Sequence, residues 1–271
     1  MPPPLAYRAA VAQRPALTRR CRHRPGRTVP AVLPPPAGLG REAMGGHCRR
    51  ETTARATSRS GGETLVKICG VVSPEDAQLA TSMGADFIGM IVWPKAKRSV
   101  SADTAAQIAE VAHQAGAQAV GVFVDEDADT IAQRCAEAGI KVAQLHGDGA
   151  RAALPGLPDS LKVIYVMHAD ASGAVQTPPP PIAVDWVLLD GLKGGSGETF
   201  EWTSLRVPTG ASTEGWLLAG GLGPDNVAEA IGIAHPTGVD VSSGVAGPDG
   251  LKKDADKVER FIGGARGACG R

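Results

Sequence analysis

Between Thr64 and Ser243, eight short runs rich in β-branched and aliphatic residues alternate with longer segments of helical period. That alternation restricts the chain to α/β architectures with parallel strands. The runs are TLVKIC (64–69), DFIGMIVW (86–93), QAVGVFV (118–124), IKVAQLH (140–146), LKVIYVM (161–167), DWVLLD (185–190), GWLLAG (215–220) and GVDVSS (238–243). Eight strand–helix units in about 205 residues match a closed (β/α)8 TIM barrel near the lower size limit of that architecture, whereas an open doubly wound sheet has fewer units. Crossover connections between parallel strands are right-handed, and eight such strands tend to close on themselves.

The helical segments carry their own boundaries. In SPEDAQLATSMGA, Ser73 is placed to cap and Pro74 to occupy the first helical position, with Ala77, Ala80 and Met83 on one face. SADTAAQIAEVAHQAGA opens with Ser101 and closes at Gly116, a left-handed stop. PDNVAEAIGIAH and DADKVERFIGGA put acidic residues toward the helix start, where the dipole favours them. One connection breaks the pattern: TPPPPIA, residues 177–183, predicts an irregular loop in place of the fifth helix.

Residues 1–60 are of a different kind from the predicted single barrel domain at 61–271. They hold twelve arginines, no lysine, two acidic residues and nine prolines, for a net charge of +10, which leaves the remainder at −10. Such a segment buries too little surface to fold alone and is expected to be a disordered basic leader. Arginine-rich and acid-poor ahead of a globular domain, it reads as an organelle transit peptide, although its few serines weigh against that. A basic RNA-binding arm is the competing reading, but Tyr7 is the leader's single aromatic and stacking on bases needs more. A third reading puts the start of translation at Met44. The expected compartment is the chloroplast stroma, with the cytoplasm as the alternative. Zero net charge overall and the lack of any long apolar run predict neither nucleic-acid nor membrane partners. Five cysteines without paired spacing suggest reduced thiols and supply no structural metal motif.

In a TIM barrel the active site forms at the carboxyl ends of the strands. Cys69, His146 and Asp190 end strands one, four and six, Arg98 follows strand two, and Asp240, Ser242 and Ser243 lie on strand eight. Each has a plainer reading. Cys69 taken alone is a small buried hydrophobe, Asp190 equally a helix cap, His146 a satisfied core histidine, and Arg98 an exposed basic loop residue. The glycine-rich stretches GGSG (194–197), AGGLG (219–223) and VSSG (241–244) follow strands six, seven and eight. They either punctuate tight turns or bring backbone N–H groups to an anion, and three on one side of one barrel favour a phosphate site. No nucleotide-binding fingerprint accompanies them.

Read together, VKICG, ADFIGMIVWPKAKRSVS, VGVFV, QLHG, LLDG, GGSGETFEW, LAGGLGPDNVAEAI and VDVSSGV resemble the phosphoribosylanthranilate isomerases of tryptophan biosynthesis, from about Leu65 to Ile262 and in the right order. The wording of EGWLLAGG and ADFIGMIVWPKAKRS is similar to the plant and algal branch. The resemblance implies an Amadori rearrangement of N-(5-phosphoribosyl)anthranilate to the aminoketose, with neither metal nor organic cofactor. By position, Asp190 is the implied general acid and Cys69 the general base. Arg98 would take the anthranilate carboxylate. His146, Asp240 and Ser242 would border the substrate. Gly195, Ser196, Gly197, Gly220, Gly221, Ser243 and Gly244 would cradle its phosphate. A positive field from Lys67, Arg98 or a helix end is expected to help ionise Cys69, while burial or Asp240 is expected to keep Asp190 protonated. Lys67 itself is read either as part of that field or as a core ion-pair partner. Ala219 stands where many bacterial forms have serine, which removes one hydroxyl but leaves the backbone donors. Besides the small-molecule substrate, other tryptophan-pathway enzymes are the partners the resemblance suggests. Two alternatives stay open: a related sugar-phosphate epimerase or lyase, and a non-catalytic phosphate-binding scaffold.

Overall fold

The structure, a computed structural model, describes residues 63–191 and 201–268. The leader at 1–60 and the GGSG run, with Gly195, Ser196 and Gly197, lie outside the described residues. Eight parallel strands form a closed barrel in chain order: β1 Leu65–Ile68, β2 Phe87–Ile91, β3 Gln118–Phe123, β4 Val142–Leu145, β5 Lys162–Ala169, β6 Val184–Gly191, β7 Ser212–Leu218 and β8 Gly238–Val241. Closure is made by β8 on β1, in a register running from Leu65 opposite Gly238 to Ile68 opposite Val241.

The helices are α1 Pro74–Ser82, α2 Ala102–Gln114, α3 Ala128–Glu137, α4 Asp148–Ala152, α5 Val227–Ala234 and α6 Ala255–Gly267. The expected starts are present. Ser73 accepts from the Asp76 amide and Ser101 from the Thr104 amide, each cap contributing about 1 kcal/mol. Gly116 stops α2 at a φ of 78°. No helix joins β5 to β6, as the prolines require. A second departure was not foreseen: among its described residues, the β6–β7 connection has only a 3-10 turn, Trp202–Ser204. Strand β7 also starts three residues earlier than expected, with Gly215 at a φ of 119° where the β6–β7 register shifts.

Strand alternation sorts the core into two layers. Val66, Ile68, Ile88, Met90 and Leu189 point outward against helix residues such as Ile108, Val258 and Phe261. Phe87, Val120, Val142, Ile164, Val166, Trp186, Leu188 and Leu217 fill the barrel itself, with Phe87 packed edge-on to Trp186 at 5.3 Å. Two residues beyond Lys67, Gln144, Val166 and Leu188, the same inward row reaches Cys69, His146, His168 and Asp190 at the barrel mouth. Among the described residues, no helix is long and apolar enough to cross a membrane.

Candidate active site

The mouth is built on an ion pair. Lys67, fully buried on β1, donates from Nζ to Asp240 Oδ1 on β8 at 2.9 Å, the two residues lying opposite each other in the β1–β8 register. Of the two roles open for Lys67, the core ion pair is the one its contacts show. A Cβ at Gly89 on β2 would stand 2.9 Å from both Lys67 Nζ and Cys69 Sγ, so a glycine there leaves room for the pair of side chains. Burial alone lowers the pKa of Lys67, but Asp240 and then Cys69 reverse the sign and hold it above the ordinary lysine value.

Cys69 is 7% exposed. Its burial raises the thiol pKa above the usual value, and the attraction of Lys67 only partly offsets that. The field of Lys67 acts in the expected direction, but desolvation exceeds it and the nearby Asp240 adds to the rise, so the thiol is held above its usual value. Asp190 behaves as anticipated. Burial first, and Asp240 second, push its carboxyl up to about 6. Its Oδ1 accepts from the Gly191 amide at 2.8 Å.

Arg98 is half-buried rather than a free loop cation. Its Nε donates to the Gly250 carbonyl at 2.8 Å and its Nη1 to Ser242 Oγ at 3.2 Å. Gly70, at a φ of 66°, makes this fit possible, since a Cβ there would meet Ser242 Oγ and Arg98 Cδ within 3 Å. The backbone behind Cys69 is held by Lys253, which sequence reasoning did not single out. Its buried Nζ donates to the Cys69 carbonyl at 2.6 Å and the Ser242 carbonyl at 3.1 Å, and burial brings its pKa down to about 8. Only the return of the 246–253 loop onto β1 reveals it, since a lysine within KKD has no mark that separates it from its exposed neighbour Lys252.

Asp190, Gly220, Gly221, Asp240, Ser242 and Ser243 line one small cavity. It adjoins a recess of about 500 Å³ bordered by Gly221, Gly223, Asn226, Ser243, Gly244, Lys257 and Arg260. Asn226 braces the glycine turn, accepting from the Gly223 amide and donating to the Gly221 carbonyl. Gly244 packs so closely on the β7 loop that a Cβ would lie 2.0 Å from the Leu222 carbonyl oxygen. Lys257 and Arg260 bring positive charge to this corner, Lys257 donating to the Ala246 carbonyl and Arg260 pairing with Asp225, which also lines the recess. A larger cavity, about 750 Å³, opens at the far end of the barrel, but its polar lining residues Glu63, Glu229 and His235 are all exposed.

His146 is not a satisfied core residue. Its buried Nδ1 has no partner among the described residues, and burial brings its pKa down to about 4. Its backbone carries the neighbourhood: the His146 carbonyl accepts from Arg151 Nη1, which also reaches the Val166 carbonyl. Beside it stands His168, whose ring lies 5.2 Å away and nearly perpendicular. His168 escaped sequence reasoning because β5 extends two residues past Met167, where the apolar run ends.

Residues 66–263 match the family model described as N-(5'-phosphoribosyl)anthranilate (PRA) isomerase. The chain is 46% identical over 205 residues to N-(5'-phosphoribosyl)anthranilate isomerase 1, chloroplastic, of Arabidopsis thaliana, covering 74% of each chain. Among solved structures, it is similar to phosphoribosyl anthranilate isomerase from Thermotoga maritima, with a TM-score of 0.64, 32% identity and coverage of 75% of this chain and 99% of the other. A phosphoribosyl anthranilate isomerase in complex with reduced 1-(o-carboxyphenylamino)-1-deoxyribulose 5-phosphate aligns with a TM-score of 0.59, 29% identity and the same coverage. The match spans every strand of the barrel, and the chain belongs to the N-(5'-phosphoribosyl)anthranilate isomerase family.

Proposed function

We propose that the isomerisation of phosphoribosylanthranilate in tryptophan biosynthesis proceeds in this chain by acid–base catalysis, with Asp190 as the acid and Cys69 as the base. Asp190 gives its proton to the ribose ring oxygen as the C1–O bond breaks, leaving a protonated imine at C1. Cys69 takes the proton from C2, the electron pair of that C–H bond moves toward the imine nitrogen, and the resulting enolamine tautomerises to the aminoketose. The observation that carries this reading is the pairing of a carboxyl raised to about 6 with a buried thiol on opposite walls of one barrel mouth.

At neutral pH the protein's own proton rests on Cys69 more than on Asp190, so the working arrangement is a minor protonation form. Arg98 presents its remaining guanidinium face to the anthranilate carboxylate, where a planar fork suits two oxygens. The glycine turns after β7 and β8 and Ser243 hold the phosphate, with Gly195, Ser196 and Gly197 assigned there from the sequence alone. Asp240 keeps Lys67 charged and Asp190 protonated, and so acts through its neighbours.

Residues 1–60 are proposed to direct the chain to the chloroplast stroma, a reading supported by their composition and by the chloroplastic relatives in Arabidopsis thaliana. Contact with other tryptophan-pathway enzymes is an expectation that co-purification from plastid extracts tests. The reaction is tested by supplying phosphoribosylanthranilate to the full chain and following loss of its anthranilate-type fluorescence together with the mass of the product. An unchanged substrate, or a product cleaved or epimerised instead of rearranged, would overturn the reading.

A further inference from the structure

Three side chains at the barrel mouth, one of them the proposed acid Asp190, form a donor set that none of the proton transfers described above uses as a unit. His146, His168 and Asp190 each offer one donor atom, and the three atoms lie within 4.8 Å of one another. They come from the ends of three consecutive strands, β4, β5 and β6, and His168 faces Asp190 directly in the β5–β6 register. We propose that these residues form an inhibitory site for a borderline divalent transition ion of the Zn²⁺ class, which silences the enzyme by occupying the carboxylate that must carry the catalytic proton.

The donor set is two imidazoles and a carboxylate, the kind that holds zinc with a remaining position for water. Metal–ligand bonds of about 2.0–2.1 Å place tetrahedral donors about 3.4 Å apart, so the side chains must close by little more than 1 Å. Rotation about the terminal torsions of histidine and aspartate, which are broad, covers that distance. His146 Nδ1 is already buried without a partner among the described residues, a condition that an ion would relieve. An imidazole with its ordinary pKa of about 6.5 is mostly neutral at pH 7 and free to ligate. The nearby cations are committed elsewhere: Lys67 to Asp240, and Arg151 to Asp148 and two carbonyls. Asp190 has no ion-pair partner among the described residues. A carboxylate bound to Zn²⁺ cannot hold a proton, so the metal-loaded enzyme lacks its acid.

The inhibition rests on the isomerase reading, whereas the binding does not, and the test separates them. Full-length protein, stripped of metal, is titrated with Co²⁺ as a spectroscopic probe and, separately, assayed with increasing ZnCl2. Expected are visible absorption bands that saturate at one Co²⁺ per chain and are displaced by Zn²⁺, with turnover suppressed by Zn²⁺ and restored by a chelator. His168→Gln, with suppression expressed relative to its own metal-free turnover, should need at least about tenfold more Zn²⁺ for the same fractional suppression. The proposal is overturned if Co²⁺ gives no saturable bands. Intense near-ultraviolet bands of thiolate ligation would overturn it too, as would Zn²⁺ suppression of His168→Gln equal to that of the natural chain. Absence of turnover in the metal-free natural chain would instead refute the isomerase reading and leave the Co²⁺ spectra to decide the site.

Discussion

Lys67 and Asp240 form a 2.9 Å ion pair in which the lysine side chain has no exposed surface and the aspartate 9%. A buried pair of this kind costs much to desolvate and is therefore far more sensitive to loss of one partner than of both. Lys67→Met should destabilise the barrel by about 3–5 kcal/mol, read as a lower denaturant midpoint, because Asp240 is left charged and alone. Adding Asp240→Leu should recover most of that loss. A single variant as stable as the natural chain would mean that the pair does not hold the β1–β8 seam.

Asp190 shows the opposite balance, function at the expense of stability. Its folded pKa of about 6 lies above the ordinary aspartate value of 3.8, so the folded state binds its proton more tightly than the unfolded chain does. The stabilisation from this proton is complete below about 4 and is lost as pH rises through about 6. Asp190→Asn removes the penalty, and at pH 7 it should gain about 3 kcal/mol while losing turnover. A variant that gains nothing at pH 7 would show that the carboxylate is not held at a cost.

Arg98 is tied at one edge to Gly250 and Ser242, which orients the rest of its guanidinium. Arg98→Ala should raise KM by about tenfold to a hundredfold, the worth of a lost charge-assisted contact, with a smaller fall in kcat. An unchanged KM would place the substrate carboxylate elsewhere.

Much of this was legible in the sequence, and the failures have identifiable causes. The barrel was readable because eight apolar runs and the caps Ser73 and Ser101 agree across local and global levels. The positions of Cys69 and Asp190 at the mouth were readable because strand ends fall where apolar runs stop, and that of Asp240 because it is the one charge inside the run of β8. His168 was hidden because β5 continues beyond its apolar run, and Lys253 because its burial depends on a loop folding back over β1. The net rise of the Cys69 pKa was hidden for a related reason. Sequence shows a neighbouring lysine, but neither its commitment to Asp240 nor the depth of the thiol is visible until the strands are paired.

The pH dependence of kcat/KM follows from the two site groups. Activity should rise as pH increases through about 6, hold a plateau, and fall only above the raised pKa of Cys69, although the active form is a minority throughout. The two limbs belong to the pair as apparent values. A profile with no inflection near 6 would disconnect Asp190 from the chemistry.

Turnover of phosphoribosylanthranilate by the full chain, measured beside its Cys69→Ala variant at equal folded concentration, bears most directly on the acid–base assignment. The expected result is a hundredfold to roughly ten-thousandfold loss of kcat in the variant, with its fold and substrate affinity retained. Turnover within about threefold of the natural chain would contradict Cys69 as the base, since a positioned base contributes at least about a hundredfold.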